Sequence, residues 1–188
     1  QANKPLVGSK VARAIKTHYI WSFRYSRHRS ILLVRDPLKC IPAFRDYLSE
    51  AHGIPYADMS SFLESTRHGV PAWISFHRSW QRHADFVLRY EDLVAAPEYW
   101  IGQIVDHLGL PYDSEDIRLA LDRSSRSQMK KAEEKGDPYH DGGYTFVRGD
   151  NEIRRKTWLS GAEREVIIAR ARPFYDALRS GPWPVLCD

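Results

Sequence analysis

Ile31-Leu32-Leu33-Val34-Arg35-Asp36-Pro37-Leu38-Lys39-Cys40, ILLVRDPLKC, begins as a strand and ends as a helix. Four branched apolar residues in a row suit a strand covered on both faces, as in a parallel sheet flanked by helices. Arg35 follows with no polar residue between it and the apolar run. Pro37 ends the strand and fits the first turn of a helix. A guanidinium therefore stands at the carboxyl end of a core strand, on the turn into a helix, which is where open α/β sheets bind their ligands.

Working outward, residues 11–17 (VARAIKT) read as a short strand and residues 85–90 (DFVLRY) as a third. Residues 38–49 read as a helix with Ile41, Phe44 and Leu48 on one face, and Pro42 is expected to delay its regular part. Helical stretches are expected around residues 62–65, 72–83 and 115–122. Pro97 opens a helix whose stripe of Ile101, Ile104, Val105 and Leu108 ends at Gly109. Residues 130–150 hold charges and glycines with almost no apolar periodicity and are expected to form a long mobile lid. Ser160 to Glu163 spells a capping box for a last helix, with Ile167, Ala171, Phe174 and Leu178 facing inward. Strands alternating with helices give an α/β class with a mainly parallel sheet flanked by helices.

The chain of 188 residues is long enough for one substantial core, and neither a repeat nor a linker divides it, so residues 1–188 read as a single domain. The 28 Lys and Arg against 24 Asp and Glu give a net charge of +4, which favours anionic partners without singling out nucleic acid. No run approaches the about 18 apolar residues of a membrane span, so any membrane attachment is expected from an upstream segment. Cys40 and Cys187 are the only cysteines, so neither a zinc cluster nor a disulfide framework is expected.

A parallel sheet would bring three polar strand ends to one rim: Lys16-Thr17-His18, Arg35-Asp36 and Tyr90-Glu91-Asp92. Lysine and arginine there suit a phosphate or sulfate, and a histidine can take a proton near neutral pH. Taken alone, Arg35 would more often be a carboxylate-paired structural arginine and His18 a loop histidine. Glu91 and Asp92 are expected to be structural, capping the turn after their strand.

The segments IKTH (15–18), LLVRDP (32–37), YEDL (90–93), SSRSQM (124–129) and RRKTWLS (154–160) occur in this order, with Arg148-Gly149 ahead of the last. Together they resemble the sulfotransferases that use 3′-phosphoadenylyl sulfate (PAPS) as donor, a family with a P-loop NTPase-like fold. By that resemblance Arg35 grips the 3′-phosphate, Tyr90 approaches the adenine, and Ser124, Ser125 and Met129 line the nucleotide. The family places a serine eight positions after this arginine; here that residue is Ala43, and Arg148 or Lys156 is expected to compensate. Lys16 and His18 resemble the catalytic pair, His18 taking the acceptor proton and Lys16 neutralising charge on the leaving oxygen. Trp21 is placed to line an acceptor pocket.

The family's phosphosulfate loop, of the form Pro-x-Ser-Gly-Thr-Thr, has no match ahead of Lys16. With Gln1 in first place, the chain is expected to be the carboxyl-terminal part of a longer, here N-terminally incomplete, sulfotransferase fold. The implied reaction moves a sulfuryl group from PAPS, as co-substrate and without a metal, to a hydroxyl acceptor, a carbohydrate in first preference. Golgi lumen and cytoplasm are both compatible, and the oligomeric state is left open. The alternatives are a non-catalytic module of the same fold that binds a nucleotide or partner, and a nucleic-acid-binding domain. The second has only the basic balance in its favour, and no nucleic-acid partner is expected. A nucleotide kinase would need a Walker loop that is not seen.

Overall fold

The computed structural model describes residues 16–135 and 159–182. Strand β1 (Ile31–Val34) leads into helix α1 (Pro37–His52), and α2 (Met59–Glu64) and α3 (Val70–Gln81) return the chain to β2 (Phe86–Arg89). Four helices follow: α4 (Tyr90–Ala95), α5 (Pro97–Leu108), α6 (Ser114–Arg123) and α7 (Arg126–Glu134). After residue 158 come α8 (Gly161–Arg170), α9 (Arg172–Ala177) and the two-residue strand β3 (Gly181–Pro182). No helix among the described residues is long and apolar enough to cross a membrane.

The three strands form one sheet in the order β1-β2-β3. β1 and β2 are parallel over their full length, from Ile31 opposite Phe86 to Val34 opposite Arg89. β3 runs antiparallel on the far edge, so the sheet is mixed. A two-residue edge strand containing Pro182 leaves no periodicity to read, since alternation needs several residues to show.

β2 is buried on both faces: Val87 lies in one core cluster, and Phe86 packs edge-on against Trp100 of α5 at 6.4 Å between ring centres. β1 is covered on one face only among the described residues, because Leu32 and Val34 are buried while Leu33 remains 51% exposed. The apolar run ILLV had suggested cover on both sides. α5 supplies that cover at β2 and does not extend it over Leu33.

Two clusters make the core. One joins α1, α2, α3 and α8 through Ile41, Leu48, Phe62, Leu63, Val70 and Ile167. The other joins the sheet to α3 and α9 through Leu32, Val34, Trp80, Val87, Tyr175 and Leu178. Trp73 of α3 packs against both. Each fully buried side chain of this kind stabilises by roughly 1.5–3 kcal/mol relative to exposure, so α3 is the element that ties the two halves together.

Several boundaries correct the reading of the sequence. α1 begins at Pro37 and continues through Pro42 without a late start. The Asp36 side chain accepts the Leu38 N–H at 2.9 Å and its carbonyl accepts those of Lys39 and Cys40, so the first turn is secured before Pro42 withholds its donor. Gly109 does close α5, in the left-handed conformation (φ 67°) that lets its N–H reach the Val105 and Asp106 carbonyls. The polar stretch after α6 is helical as α7, so the expected loop of residues 130–150 begins no earlier than Lys135, and the rest of it lies outside the described residues. The last helix is two: α8 stops at Arg170, and Pro173 sits in the first turn of α9. The expected strand at 11–17 falls largely outside the described residues, and Lys16 and Thr17 lie in irregular backbone.

Candidate functional site

The parallel register decides where the site is. Val34 and Arg89 are partners at the carboxyl ends of β1 and β2, so the next residues, Arg35 and Tyr90, emerge side by side at one rim. The Arg35 guanidinium lies over the Tyr90 ring, 5.0 Å from its centre. Arg35 is exposed, and among the described residues it makes no ion pair with a carboxylate. Tyr90 keeps 39% of its surface open. A guanidinium held over an aromatic ring and bonded to no carboxylate among the described residues can receive a phosphate, while the exposed ring beside it can meet an aromatic base.

The turns on either side are fixed. Asp36 caps α1 through Leu38, as above, and its other carboxylate oxygen lies 3.7 Å from Arg172 of α9. Glu91 stands immediately after Tyr90. Its Oε1 accepts the Asp36 N–H at 3.3 Å, its Oε2 accepts the Tyr175 hydroxyl at 2.6 Å, and Lys39 lies 3.9 Å away. Burial alone would raise the Glu91 carboxyl, but the Tyr175 hydroxyl and the neighbouring amides more than offset it and hold it below the usual carboxylate range. Tyr175 is pushed up to about 12, first by burial and then by its bond to Glu91. Asp92 accepts from Ser180 at 2.6 Å, and the same Ser180 oxygen accepts the Arg89 N–H at 2.8 Å, which pins the end of β2 to the chain entering β3. Cys40, one turn into α1, is pushed up to about 12, mainly by burial, and so stays a thiol.

Lys16 and His18 sit on a segment with its own anchorage. Trp80 Nε1 donates to the Tyr19 carbonyl at 2.9 Å and the Trp21 N–H donates to Ser79 Oγ at 3.0 Å, so α3 holds the chain on both sides of residue 20. The Thr17 hydroxyl pairs with the Tyr25 hydroxyl at 3.2 Å. Both Lys16 and His18 are exposed. Partial desolvation of its ring, and then the nearby Lys16 charge, hold His18 below the ordinary histidine value. No hydrogen bond, ion pair or ring contact among the described residues joins this pair to Arg35 or Tyr90. Trp21, expected in an acceptor pocket, instead stacks on His83 at 3.6 Å and packs against the second core cluster.

Among the described residues no hydrogen bond joins Ser124, Ser125 or Met129 to Arg35 or Tyr90. Ser124 closes α6 with its hydroxyl turned back onto the Ala120 carbonyl at 2.8 Å, and Ser125 begins α7 with its hydroxyl 3.2 Å from that of Ser127. Met129 is exposed on α7. Arg148 and Lys156 lie outside the described residues. The sequence placed Arg35 and Tyr90 together correctly, but it missed Tyr175. The sequence pattern puts Phe174 inward after Ala171; the residue that is buried there is its neighbour Tyr175, four after Ala171 and 1% exposed, while Phe174 is half-buried.

Comparison with known proteins agrees with this geometry. A sulfotransferase-family model matches residues 25–114, which include β1, Arg35, β2 and Tyr90. A solved structure, mouse sulfotransferase SULT7A1 complexed with PAP, shares the fold with a TM-score of 0.52 at 15% sequence identity. The similarity covers 77% of this chain and 59% of that one, so the chain spans less than two thirds of the neighbour's length. No curated protein matches the sequence. The segment at 25–114 that builds the rim is similar to the sulfotransferase family, and the α/β fold is shared with a solved sulfotransferase.

Proposed function

We propose that the protein is a PAPS-dependent sulfotransferase acting on a hydroxyl, with a carbohydrate as the favoured acceptor. The observation that carries this reading is the rim pair: an exposed guanidinium, without a carboxylate partner among the described residues, over Tyr90 at the carboxyl ends of two parallel strands. The solved neighbour's complex with PAP, which carries the 3′-phosphate of the donor nucleotide, supports the same choice of ligand. Arg35 fits the 3′-phosphate through charge-assisted hydrogen bonds, and the exposed face of Tyr90 fits the adenine. Ser124, Ser125, Met129, Arg148 and Lys156 are proposed to complete the nucleotide site.

PAPS would supply the sulfuryl group, and the chain's own residues supply the proton chemistry. As the acceptor oxygen bonds to sulfur, His18 takes the hydroxyl proton on its free ring nitrogen. The bond from sulfur to the bridging phosphate oxygen breaks, and Lys16 offsets the charge left on that oxygen. A histidine held below its ordinary value is neutral at pH 7, which is the form a base requires.

The test is calorimetric. The protein should bind 3′,5′-adenosine bisphosphate more tightly than 5′-AMP, and Arg35→Ala should weaken bisphosphate binding at least about tenfold, since each charge-assisted bond is worth roughly 1.5–3 kcal/mol. Equal affinity for the two nucleotides would remove the assignment.

A further inference from the structure

We propose that Glu91 is a positioning residue for the nucleotide site, a clamp that sets Arg35 against the 3′-phosphate and is itself held by Tyr175 of α9. The proposal rests on the nucleotide reading of the rim and assigns part of that site's selectivity to residues that touch no ligand.

Glu91 joins three pieces of chain that are distant in sequence. One carboxylate oxygen accepts the Asp36 N–H, the peptide that directly follows Arg35, at 3.3 Å. The other accepts the hydroxyl of Tyr175 at 2.6 Å. Its own backbone follows Tyr90, the ring on which the Arg35 guanidinium rests. The carboxylate therefore fixes the spacing between the two strand ends just where Arg35 and Tyr90 meet. A carboxylate in this place could have drawn the Arg35 guanidinium to itself. Both its oxygens are instead occupied, and Lys39 at 3.9 Å supplies a counter-charge, so Arg35 is left for a ligand.

Tyr175 is a firm anchor. It is 1% exposed, and two guanidinium groups lie over its ring, that of Arg89 4.3 Å from the ring centre and that of Arg172 at 5.5 Å. Arg172 in turn reaches the Asp36 carboxylate at 3.7 Å and bonds Asp176 at 2.7 Å. α9 thus approaches the Arg35–Asp36 turn by two routes, one through Glu91 and one through Arg172. A hydroxyl and a carboxylate this close, the first buried and the second partly so, hold their geometry better than a fully solvated surface pair. Ordering of a reacting or binding group by its neighbours is felt as selectivity more than as stability.

The experiment compares affinities of the full chain for 3′,5′-adenosine bisphosphate and 5′-AMP in the wild type, Arg35→Ala, Glu91→Gln and Tyr175→Phe. Both clamp substitutions keep side-chain volume, and Tyr175→Phe keeps the ring that the two arginines cover. If the clamp positions Arg35, each should lower the preference for the bisphosphate roughly fivefold or more while 5′-AMP affinity moves less than about twofold, the loss of one charge-assisted bond being the scale. A purely structural role would lower both affinities together or neither, and an unchanged preference in the two variants overturns the proposal. A wild type with no preference overturns the nucleotide assignment itself, and Arg35→Ala alone losing the preference separates the two failures. Should the variants not fold, hydrogen exchange in the wild type decides. The Asp36 amide must be slow and must slow further with the bisphosphate but not with 5′-AMP; exchange at the rate of an open loop amide overturns the clamp.

Discussion

Arg35 and His18 put the same question at the scale of single residues: what makes a common side chain chemically useful? For Arg35 the answer is what surrounds it. Glu91, the carboxylate on the adjoining turn, is already bonded to Tyr175 and to the Asp36 amide, and the Tyr90 ring supports the guanidinium from below. For His18 the answer is its proton affinity, lowered by partial desolvation and then by Lys16. A base must be neutral to act, so the sign is fixed: turnover should be flat through neutrality and fall only as pH drops past a point below 6.5. A pH–rate profile measured with a hydroxyl acceptor checks this. His18→Asn should abolish that acid limb and cost about 10²–10⁴-fold in kcat, the usual range for a general base. An unchanged acid limb in the variant would transfer the role to another group.

Among elements, α2 and α3 show how a turn can be dictated by one missing atom. Gly69 precedes α3, and a Cβ built there would stand 2.2 Å from the Phe62 carbonyl oxygen and 2.5 Å from that of Leu63. Both obstacles are backbone and cannot swing away. Gly69→Ala should therefore destabilise the fold by about 2–3 kcal/mol, in the upper part of the range for an overpacked site, with a lower Tm by calorimetry. An unchanged Tm would mean that α2 and α3 are not packed this closely.

The same elements mark what the residues alone disclose. Long periodic segments such as α5 were legible to their caps, because Pro97 and Gly109 punctuate an apolar stripe. So was the rim, since a hydrophobic run that meets Arg35 and Pro37 leaves little choice of geometry. α7 was not, because a helix of nine residues that buries none of them has no apolar stripe to read. Tyr175 was hidden for a different reason: Phe174 and Tyr175 both lie near the inward stripe that Ile167 and Ala171 begin, and the partner that singles out Tyr175, Glu91, comes from 84 residues away. Periodicity reports one element at a time. The clamp on Arg35 needs three.

Across the whole molecule, α3 carries both core clusters and the segment bearing Lys16 and His18, and one titratable group sits inside it. His77 is 7% exposed, packed against Trp73 at 4.1 Å and Phe76 at 5.1 Å between ring centres. Its Nδ1 lies 2.7 Å from the Trp73 carbonyl; that oxygen can only accept, so the bonded nitrogen carries the proton. Burial pushes His77 down to about 4, against a raising effect of that backbone bond. The folded state therefore refuses a proton that the unfolded chain accepts near 6.5, and stability rises with pH wherever the unfolded chain binds more protons. The contribution is whole above pH 6.5, drains away as pH falls toward 4, and amounts to about 3 kcal/mol at about 1.4 kcal/mol per pH unit. Urea unfolding at pH 7.5, 5.5 and 4.5 should show that slope, and His77→Phe should flatten it while leaving the pH 7.5 stability less affected. Since Ser79 and Trp80 on the same helix hold the Lys16–His18 segment, acid inactivation has two separable sources. Protonation of His18 is reversible at once and leaves the fold intact, whereas protonation of His77 loosens α3 and should be accompanied by loss of the tertiary signal from Trp73 and Trp80. If activity and tryptophan signal fall together at every acidic pH in the wild type, and the His77→Phe variant behaves no differently, then neither histidine governs the acid limb.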